Sequence, residues 1–180
     1  MQHSLIEYIH LGGYVMYILV GLNIIGLSIL LWKFIQIRLE NNKAQRVVTD
    51  IINQAQKEHS ASKLKDVEDE IFNKASKYLL SCENGMNTIK IIATIAPILG
   101  LLGTVIGVLS SFETIAATGF SSGANSFASG ISLALITTVG GLIVALPHYI
   151  GYNYLSGSFT KLESKYEALI VNRITREKVS

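Results

Sequence analysis

Three long apolar stretches dominate the hydropathy pattern of this chain, and none of them contains Asp, Glu, Lys or Arg. They cover residues 13–32, 91–112 and 131–150. A helix needs roughly 20 mostly apolar residues to cross a bilayer, and each stretch is of that length. The pattern therefore predicts an all-α membrane protein with three transmembrane helices.

The polar segments between and after these stretches have helical periodicity. In residues 33–90, apolar side chains recur at three and four residues on both sides of KEHSASKLKDVEDE, which predicts two helices joined by a turn. Glu70 and Lys74 are spaced for an i,i+4 ion pair. The tail, 151–180, has the same periodicity. We expect the second and third transmembrane helices to extend into these polar segments.

Basic residues predict the orientation in the membrane. Ten of the 15 Lys and Arg lie between Lys33 and Lys90, and the other five lie between Lys161 and Lys178. Since basic segments remain on the cytoplasmic side, the N-terminus is predicted outside and the C-terminus inside. The predicted segments are an outer N-terminal segment (1–12), transmembrane helix 1 (13–32), a cytoplasmic helical insertion (33–90), transmembrane helix 2 (91–112), an outer loop (113–130), transmembrane helix 3 (131–150) and a cytoplasmic helical tail (151–180).

Composition excludes several classes of function. Charged residues make up 16% of the chain, against about 25% in an ordinary soluble domain, and the net charge of +2 gives no reason to expect a nucleic-acid partner. Cys82 is the single cysteine, so an internal disulfide is impossible. The histidines lack metal-ligand spacing, and no nucleophile and base stand at a recognisable spacing. We therefore expect neither an enzyme nor a metal or other cofactor.

Small residues share one face of the second and of the third transmembrane helix. Such faces let helices approach closely in lipid. They comprise Gly100, Gly103, Gly107 and Ser111 in the second helix, and Gly130, Ala134, Thr137 or Thr138, Gly141 and Ala145 in the third.

Several polar and helix-breaking residues in the transmembrane helices need an explanation. Thr104 lies beside the small face of the second helix, and from the pattern alone Thr104 and Thr138 are most simply packing residues. We expect Pro97 and Pro147 to kink their helices. His148 is expected at the level of the lipid headgroups, and Asn23, in the first helix, is expected to contact a neighbouring helix.

The strings IIATIAPILGLLGTVIGVLSSF and FASGISLALITTVGGLIVALPHYIGYNYL, separated by a short loop, closely resemble the ExbB/TolQ/MotA family of proton-channel subunits. The resemblance implies a homopentameric ring whose second and third helices line a central pore. Two helices of a single-span partner, ExbD or TolR, would occupy that pore, each with one aspartate that carries the proton. Proton flow would rotate the ring, and the motion would pass to TonB, for outer-membrane import, or to TolA.

The resemblance also implies roles for individual residues. Thr104 and Thr138 correspond to family threonines that are thought to face the partner's aspartate, which favours a pore role over packing alone. Many relatives have a glutamate five residues before the second of these, where this chain has Leu133. Any relay through that glutamate is therefore absent here, and the partner must supply the titrating acid.

Three transmembrane helices favour ExbB or TolQ over the four-helix MotA branch, and the short N-terminus favours ExbB, with TolQ as the alternative. The resemblance then implies a bacterial inner-membrane protein with a periplasmic N-terminal segment and loop, in contact with membrane lipids and further copies of itself. A structural scaffold, whose small faces serve only packing, is the alternative of another class. An autonomous channel is disfavoured because no acidic or basic group lies inside the membrane.

Overall fold

The computed structural model describes residues 5–58 and 64–179, and all its regular structure is helical. Its five helices, named in chain order, are α1 (Leu5–Leu11), α2 (Gly13–Glu58), α3 (Leu64–Glu83), α4 (Met86–Thr118) and α5 (Phe120–Val179). Three helical stretches are long and apolar enough to cross a membrane. The prediction of an all-α chain with three candidate transmembrane helices is therefore confirmed.

Helix boundaries correct the sequence reading in one place. The expected outer loop, 113–130, is helical on both sides of Gly119, which has a φ of +78° and donates its N–H to the Ile115 carbonyl at 2.9 Å. A left-handed glycine ends a helix in this way within a single residue. The Gly- and Ser-rich segments on both sides of Gly119 are helical, so their backbone N–H and C=O groups are paired within the helices.

The predicted turn before α3 is only partly visible. Residues 59–63 lie outside the described part of the chain, and the segment from Leu64 onward already belongs to α3. The expected ion pair within α3 is present, with 3.8 Å between Lys74 Nζ and Glu70 Oε1. Helix α4 begins at Met86 and α5 continues to Val179, so both helices run on beyond the predicted membrane boundaries.

The chain forms two compact units. The membrane unit comprises the described residues of 1–30 and 88–152, and the bundle unit comprises those of 31–87 and 153–180. The core of the bundle unit is built from large side chains of α2, α3 and α5. Among them Ile52, Ile71, Tyr166 and Ile170 are almost completely buried. Burial of apolar side chains of this size is the main force that holds a helical bundle together in water.

Tyr78 and Lys33 form hydrogen bonds inside the bundle unit. The Tyr78 hydroxyl donates to Glu40 Oε2 at 2.6 Å, and the Tyr78 ring stacks on that of Tyr166. Burial raises the pKa of Tyr166 to about 12. Lys33 is also buried, and its Nζ donates to the Cys82 carbonyl at 3.0 Å. Burial lowers the pKa of Lys33, while its two hydrogen bonds, the second to Gln36 Oε1, hold the ammonium group in place.

Candidate functional site: the glycine seam of the membrane unit

Helices α4 and α5 contact each other backbone to backbone along their small faces, and we call this contact the glycine seam. A Cβ atom added at Gly100 would lie 2.8 Å from the Thr137 carbonyl oxygen, and one added at Gly141 would lie 2.6 Å from that of Ala96. Real Cβ atoms essentially never approach other atoms so closely. The seam therefore requires glycine at both positions, as is typical of helices packed in lipid.

The seam continues toward Gly119, at the end of α4. A side chain at Gly103 would overlap that of Thr137. A Cβ at Gly107 would lie 3.1 Å from the Ala134 Cβ and 3.1 Å from the Gly130 carbonyl oxygen. The structure thus brings together five of the small-face residues that the sequence suggested for close packing, namely Gly100, Gly103, Gly107, Ala134 and Gly141.

Threonine hydroxyls surround the Gly100 carbonyl on this seam. Thr137 Oγ1 donates to the Ala134 carbonyl at 2.7 Å and lies 3.3 Å from the Gly100 oxygen, while Thr138 Oγ1 lies 3.4 Å from the same oxygen. Thr104 Oγ1 donates within α4, to the Leu101 carbonyl at 2.6 Å. Each hydroxyl therefore has an acceptor in its own chain, as a polar group in lipid requires.

The sequence left open whether Thr137 or Thr138 lies on the small face of α5, and the structure places Thr137 there. Thr137 is the buried seam contact, with 2% of its surface exposed, whereas Thr138 is only half-buried beside the seam. Both residues continue a series of three- and four-residue spacings from Ala134 to Gly141. The spacing alone could not choose between them, because the choice depends on how α5 is rotated against α4.

Thr104 and Thr138 lie on the same side of the α4–α5 pair. Each follows a seam residue, Gly103 or Thr137, by one position, which rotates it by about 100° in the same sense about its own helix axis. The two helices are antiparallel, as the pairing of Gly100 with Gly141 and of Gly107 with Gly130 shows. When two antiparallel helices face each other, a step of one residue along either helix turns the side chain toward the same side of the pair. Thr104 and Thr138 therefore lie on one side.

The two threonines also lie at nearly the same depth. Seam partners have residue numbers that sum to about 240, so the level of Thr104 on α4 matches that of residue 136 on α5. Thr138 is two residues from that level, or roughly 3 Å along the axis at a rise of 1.5 Å per residue. Two hydroxyls at one depth form a single polar spot on an apolar hairpin.

The first part of α2 packs against the opposite side of this pair. Met16 fills the space beside Gly140, and His148 lies directly against Gly26. The buried cluster of this contact consists of Met16, Leu19, Ile92, Ala96, Val144 and Ala145. On the α4 and α5 axes, Ile92 and Val144 are rotated away from the seam in the sense opposite to Thr104 and Thr138. Within the described part of the chain, α2 thus leaves the threonine side uncovered.

Around the two hydroxyls, the uncovered side is apolar. Leu101 and Leu142, which neighbour them on the same side, are 60% and 48% exposed. The stretches 91–112 and 131–150 contain no carboxyl, ammonium or guanidinium group. The surface can donate or accept a hydrogen bond at mid-hairpin, but it cannot itself carry the charge of a proton in transit on a carboxylate.

His148 and the side-chain oxygen of Asn23 are buried polar groups in the membrane unit. His148 is fully buried among α2, α4 and α5, and its position at the headgroup level stays a prediction. Its Nδ1 lies 2.7 Å from the Val144 carbonyl and so carries the hydrogen, while its Nε2 has no hydrogen-bond partner among the described residues. Asn23 Oδ1 is likewise buried without a hydrogen-bond partner among the described residues, and the expected polar contact to a neighbouring helix stays a prediction.

The remaining predicted residues keep their places in the helices. Pro97 lies inside α4 and Pro147 inside α5. Each lacks an N–H and so frees one carbonyl of the preceding turn. Kinks at these prolines stay a prediction. Leu133 is half-buried in α5, one residue before the seam residue Ala134.

Comparison with known proteins identifies the family of this hairpin. The family model described as "MotA/TolQ/ExbB proton channel family" matches residues 40–168. Similar proteins include "Biopolymer transport protein exbB1" of Vibrio cholerae, 41% identical over 41% of this chain and 32% of that protein. Another is "Putative biopolymer transport protein ExbB homolog" of Methanothermobacter thermautotrophicus, 32% identical over 72% of this chain and 45% of that protein.

Coverage of the relatives varies. The chain matches 32% and 45% of the length of those two proteins. A "Putative biopolymer transport protein ExbB-like 1" from one Helicobacter pylori strain is 27% identical over 84% of this chain and 87% of its own length. The names agree with the predicted resemblance, including its ExbB branch. The family match extends over both helices of the glycine seam, and this multi-pass membrane protein belongs to the MotA/TolQ/ExbB proton channel family.

Proposed function

We propose that this chain is the ring-forming subunit of an inner-membrane proton channel that converts proton motive force into mechanical work for TonB-dependent outer-membrane import. Five copies would surround a partner of the ExbD kind, whose single transmembrane helix carries the titrating aspartate. The N-terminus would lie in the periplasm and the C-terminus in the cytoplasm. One observation carries the proposal: Thr104 and Thr138 lie at one depth, on the side of the hairpin that α2 leaves uncovered, in a surface without charge.

A hydroxyl suits a site that must meet both forms of a carboxyl group. It can donate to a carboxylate oxygen and accept from the O–H of a carboxylic acid. A permanent charge at mid-membrane costs about 2.5–3.5 kcal/mol on insertion scales, and a neutral hydroxyl avoids that cost. A uniformly apolar wall would leave an ionised partner without a hydrogen bond, so the hydroxyls lower the barrier for its passage.

The present hydrogen bonds of the two threonines are compatible with this exchange. Thr104 donates to Leu101 in its own helix, and Thr138 makes only a long contact of 3.4 Å to Gly100. Rotation about χ1 would redirect either hydroxyl toward the pore without breaking a backbone hydrogen bond. Thr137, by contrast, is enclosed in the seam and unable to reach a partner helix without separation of α4 from α5.

The energy source is adequate for the proposed work. One elementary charge that crosses 100 mV releases about 2.3 kcal/mol. Leu133 provides no carboxyl for a relay within this chain, so each transported proton would be carried by the partner's aspartate between the hydroxyls of successive subunits.

The test is a pair of isosteric variants, Thr104→Val and Thr138→Val, expressed with the natural partners in a strain that lacks its own subunit. We expect both to assemble normally with the partner, as judged by co-purification, and to lose growth that depends on TonB-dependent iron uptake. Thr94→Val is the control, because its exposed hydroxyl donates only to the Lys90 carbonyl in α4. Full growth with both variants would contradict the pore role.

A structural scaffold is the second candidate, and the closeness of the glycine seam is the observation in its favour. A scaffold would tolerate valine at positions 104 and 138 and would fail only when the seam is enlarged. A TolQ-like role is separated by the readout: loss of envelope integrity with intact iron uptake in the valine variants would assign the chain to that branch.

A further inference from the structure

A groove on the bundle unit carries two cationic side chains that form no ion pair with any described residue. It encloses about 260 Å³ between α2 and α5. The buried side chains of Ile37, Leu155 and Leu162 form its floor, and the exposed Arg38 and Lys161 stand at its rim. None of the described residues that line the groove is acidic, so its net charge is positive.

An aromatic pair closes one end of this groove. The rings of Phe34 and Tyr154 have their centroids 5.8 Å apart. The Arg38 guanidinium carbon lies 4.9 Å from the Phe34 ring centroid, so the side chain leans back by one turn toward the predicted transmembrane helix. Asn41, also in the lining, holds a third cation, since its carbonyl and Oδ1 both accept from Lys165 Nζ at 2.8 Å.

The groove begins at the predicted level of the lipid headgroups. Phe34 is two residues beyond Trp32, and Tyr154 is four residues beyond Ile150, which is about 3 and 6 Å along the helices. The headgroup layer on each side of a bilayer is about 5–7 Å thick. Side chains on helices tilt toward the helix N-terminus, and for α2 and α5 that is the membrane side. The tilt directs Arg38 and Lys161, which lie farther along their helices than Phe34 and Tyr154, back toward the headgroups.

We propose that this groove binds the phosphate headgroup of an anionic glycerophospholipid. Arg38 would bind the phosphate in a bidentate way, and Lys161 would add a second positive charge. The aromatic pair would cover the glycerol, and the acyl chains would remain in the bilayer. A free phosphate ion has no apolar part to match the floor of Ile37 and Leu155, which favours a lipid over a soluble anion.

The experiment compares two tryptophan probes in reconstituted vesicles. Trp32 is the single tryptophan of the chain and lies on the side of α2 away from the groove, so the wild-type protein reports the general lipid surroundings. The double variant Trp32→Phe, Tyr154→Trp places the probe in the groove wall. Vesicles of phosphatidylcholine receive brominated phosphatidylglycerol or brominated phosphatidylcholine in rising proportion, and quenching of fluorescence is measured.

We expect the groove probe to be half-quenched at about a fivefold lower proportion of the anionic lipid than of the neutral lipid. Fivefold corresponds to about 1 kcal/mol, the attraction of one basic residue near an anionic surface. At Trp32 the two lipids should quench nearly alike. Arg38→Gln and Lys161→Gln, added to the probe variant, should remove the preference, while the equally exposed Arg46→Gln, which removes the same charge from α2 outside the groove, should keep it.

Two outcomes would overturn the proposal. Equal quenching by both lipids at the groove probe would show that no anionic headgroup is selected there. Relief of the phosphatidylglycerol quenching by millimolar inorganic phosphate would show that the groove takes a free anion. Circular dichroism of each variant verifies that the helices are intact, so that a lost preference reports the groove and not misfolding.

Discussion

The membrane unit and the bundle unit are both made of helices, but the residues that hold them together are opposite in kind. The contact of α4 with α5 in the membrane unit requires residues without a side chain, since there is no room for a Cβ at Gly100, Gly103 or Gly141. The core of the bundle unit is held together by large buried side chains, with Ile170 and Tyr166 among those that are fully buried. The difference follows from the solvent that each unit is built for.

In water, helices associate because large apolar side chains leave the solvent. In lipid that gain is absent, because acyl chains are as apolar as leucine, and close packing of backbones takes its place. The exposed leucine and isoleucine side chains of α4 and α5, such as Leu101 and Leu146, fit this account. They do not contribute to the seam and are free to face lipid or further protein.

The largest expected effect is a break of the seam itself. Gly103→Leu would place a side chain into Thr137, and neither backbone can retreat without losing the rest of the seam. We expect loss of folded protein, well beyond the 1–3 kcal/mol of ordinary overpacking. The measurement is the yield of monodisperse protein after detergent extraction. Gly21→Leu is the control, since nothing lies within 4 Å of the position where its Cβ would be. Normal yield from Gly103→Leu would disprove the packing account.

The next largest effect concerns the other unit. Ile170→Ala should destabilise the bundle unit by about 2–5 kcal/mol, because it leaves a cavity where a fully buried side chain was. Val171→Ala, on the neighbouring half-exposed residue, should change the unfolding free energy by well under half of that. Chemical denaturation followed by circular dichroism gives both values. Equal losses would mean that burial does not distinguish the two positions.

The bundle unit also allows a test by pH. The pKa of Tyr166 is raised by burial to about 12 from the ordinary 10, so the folded state holds its proton where the unfolded state releases it. The contribution of Tyr166 to stability is complete below pH 10 and is lost as the pH rises toward about 12. Tyr166→Phe should therefore reduce the fall in melting temperature over that range.

At neutral pH the same variant should cost little. The Tyr166 hydroxyl is buried without a hydrogen-bond partner among the described residues, so its removal leaves no described group unsatisfied. An identical alkaline decline in both proteins would contradict the assigned cause. The pKa of Tyr78 is raised even further, by burial and by its bond to Glu40, and Tyr78 therefore contributes to the decline in both proteins.

The two units also differ in how far the sequence predicted them. Composition and periodicity gave the three transmembrane helices and the small faces, because both are properties of single helices. The rotation of one helix against another is a property of the pair. The choice between Thr137 and Thr138 at the seam, and the burial of His148 against Gly26, could therefore not be predicted from the sequence. The helical structure of residues 113–130 on both sides of Gly119 was not predicted, because their Gly- and Ser-rich composition is typical of loops.

The smallest expected effect separates the hydroxyl of the seam from the shape of the seam. Thr137→Val keeps the branched volume and removes one hydroxyl, whose bonds are 2.7 Å to Ala134 and 3.3 Å to Gly100. Interhelical hydrogen bonds in lipid contribute on average about 0.6 kcal/mol. We expect a loss of that size in detergent unfolding, with assembly retained. A loss of stability comparable to that of Gly103→Leu would show that the hydroxyl, and not backbone proximity, holds α4 against α5. The two units would then differ in hydrogen bonding and not in packing.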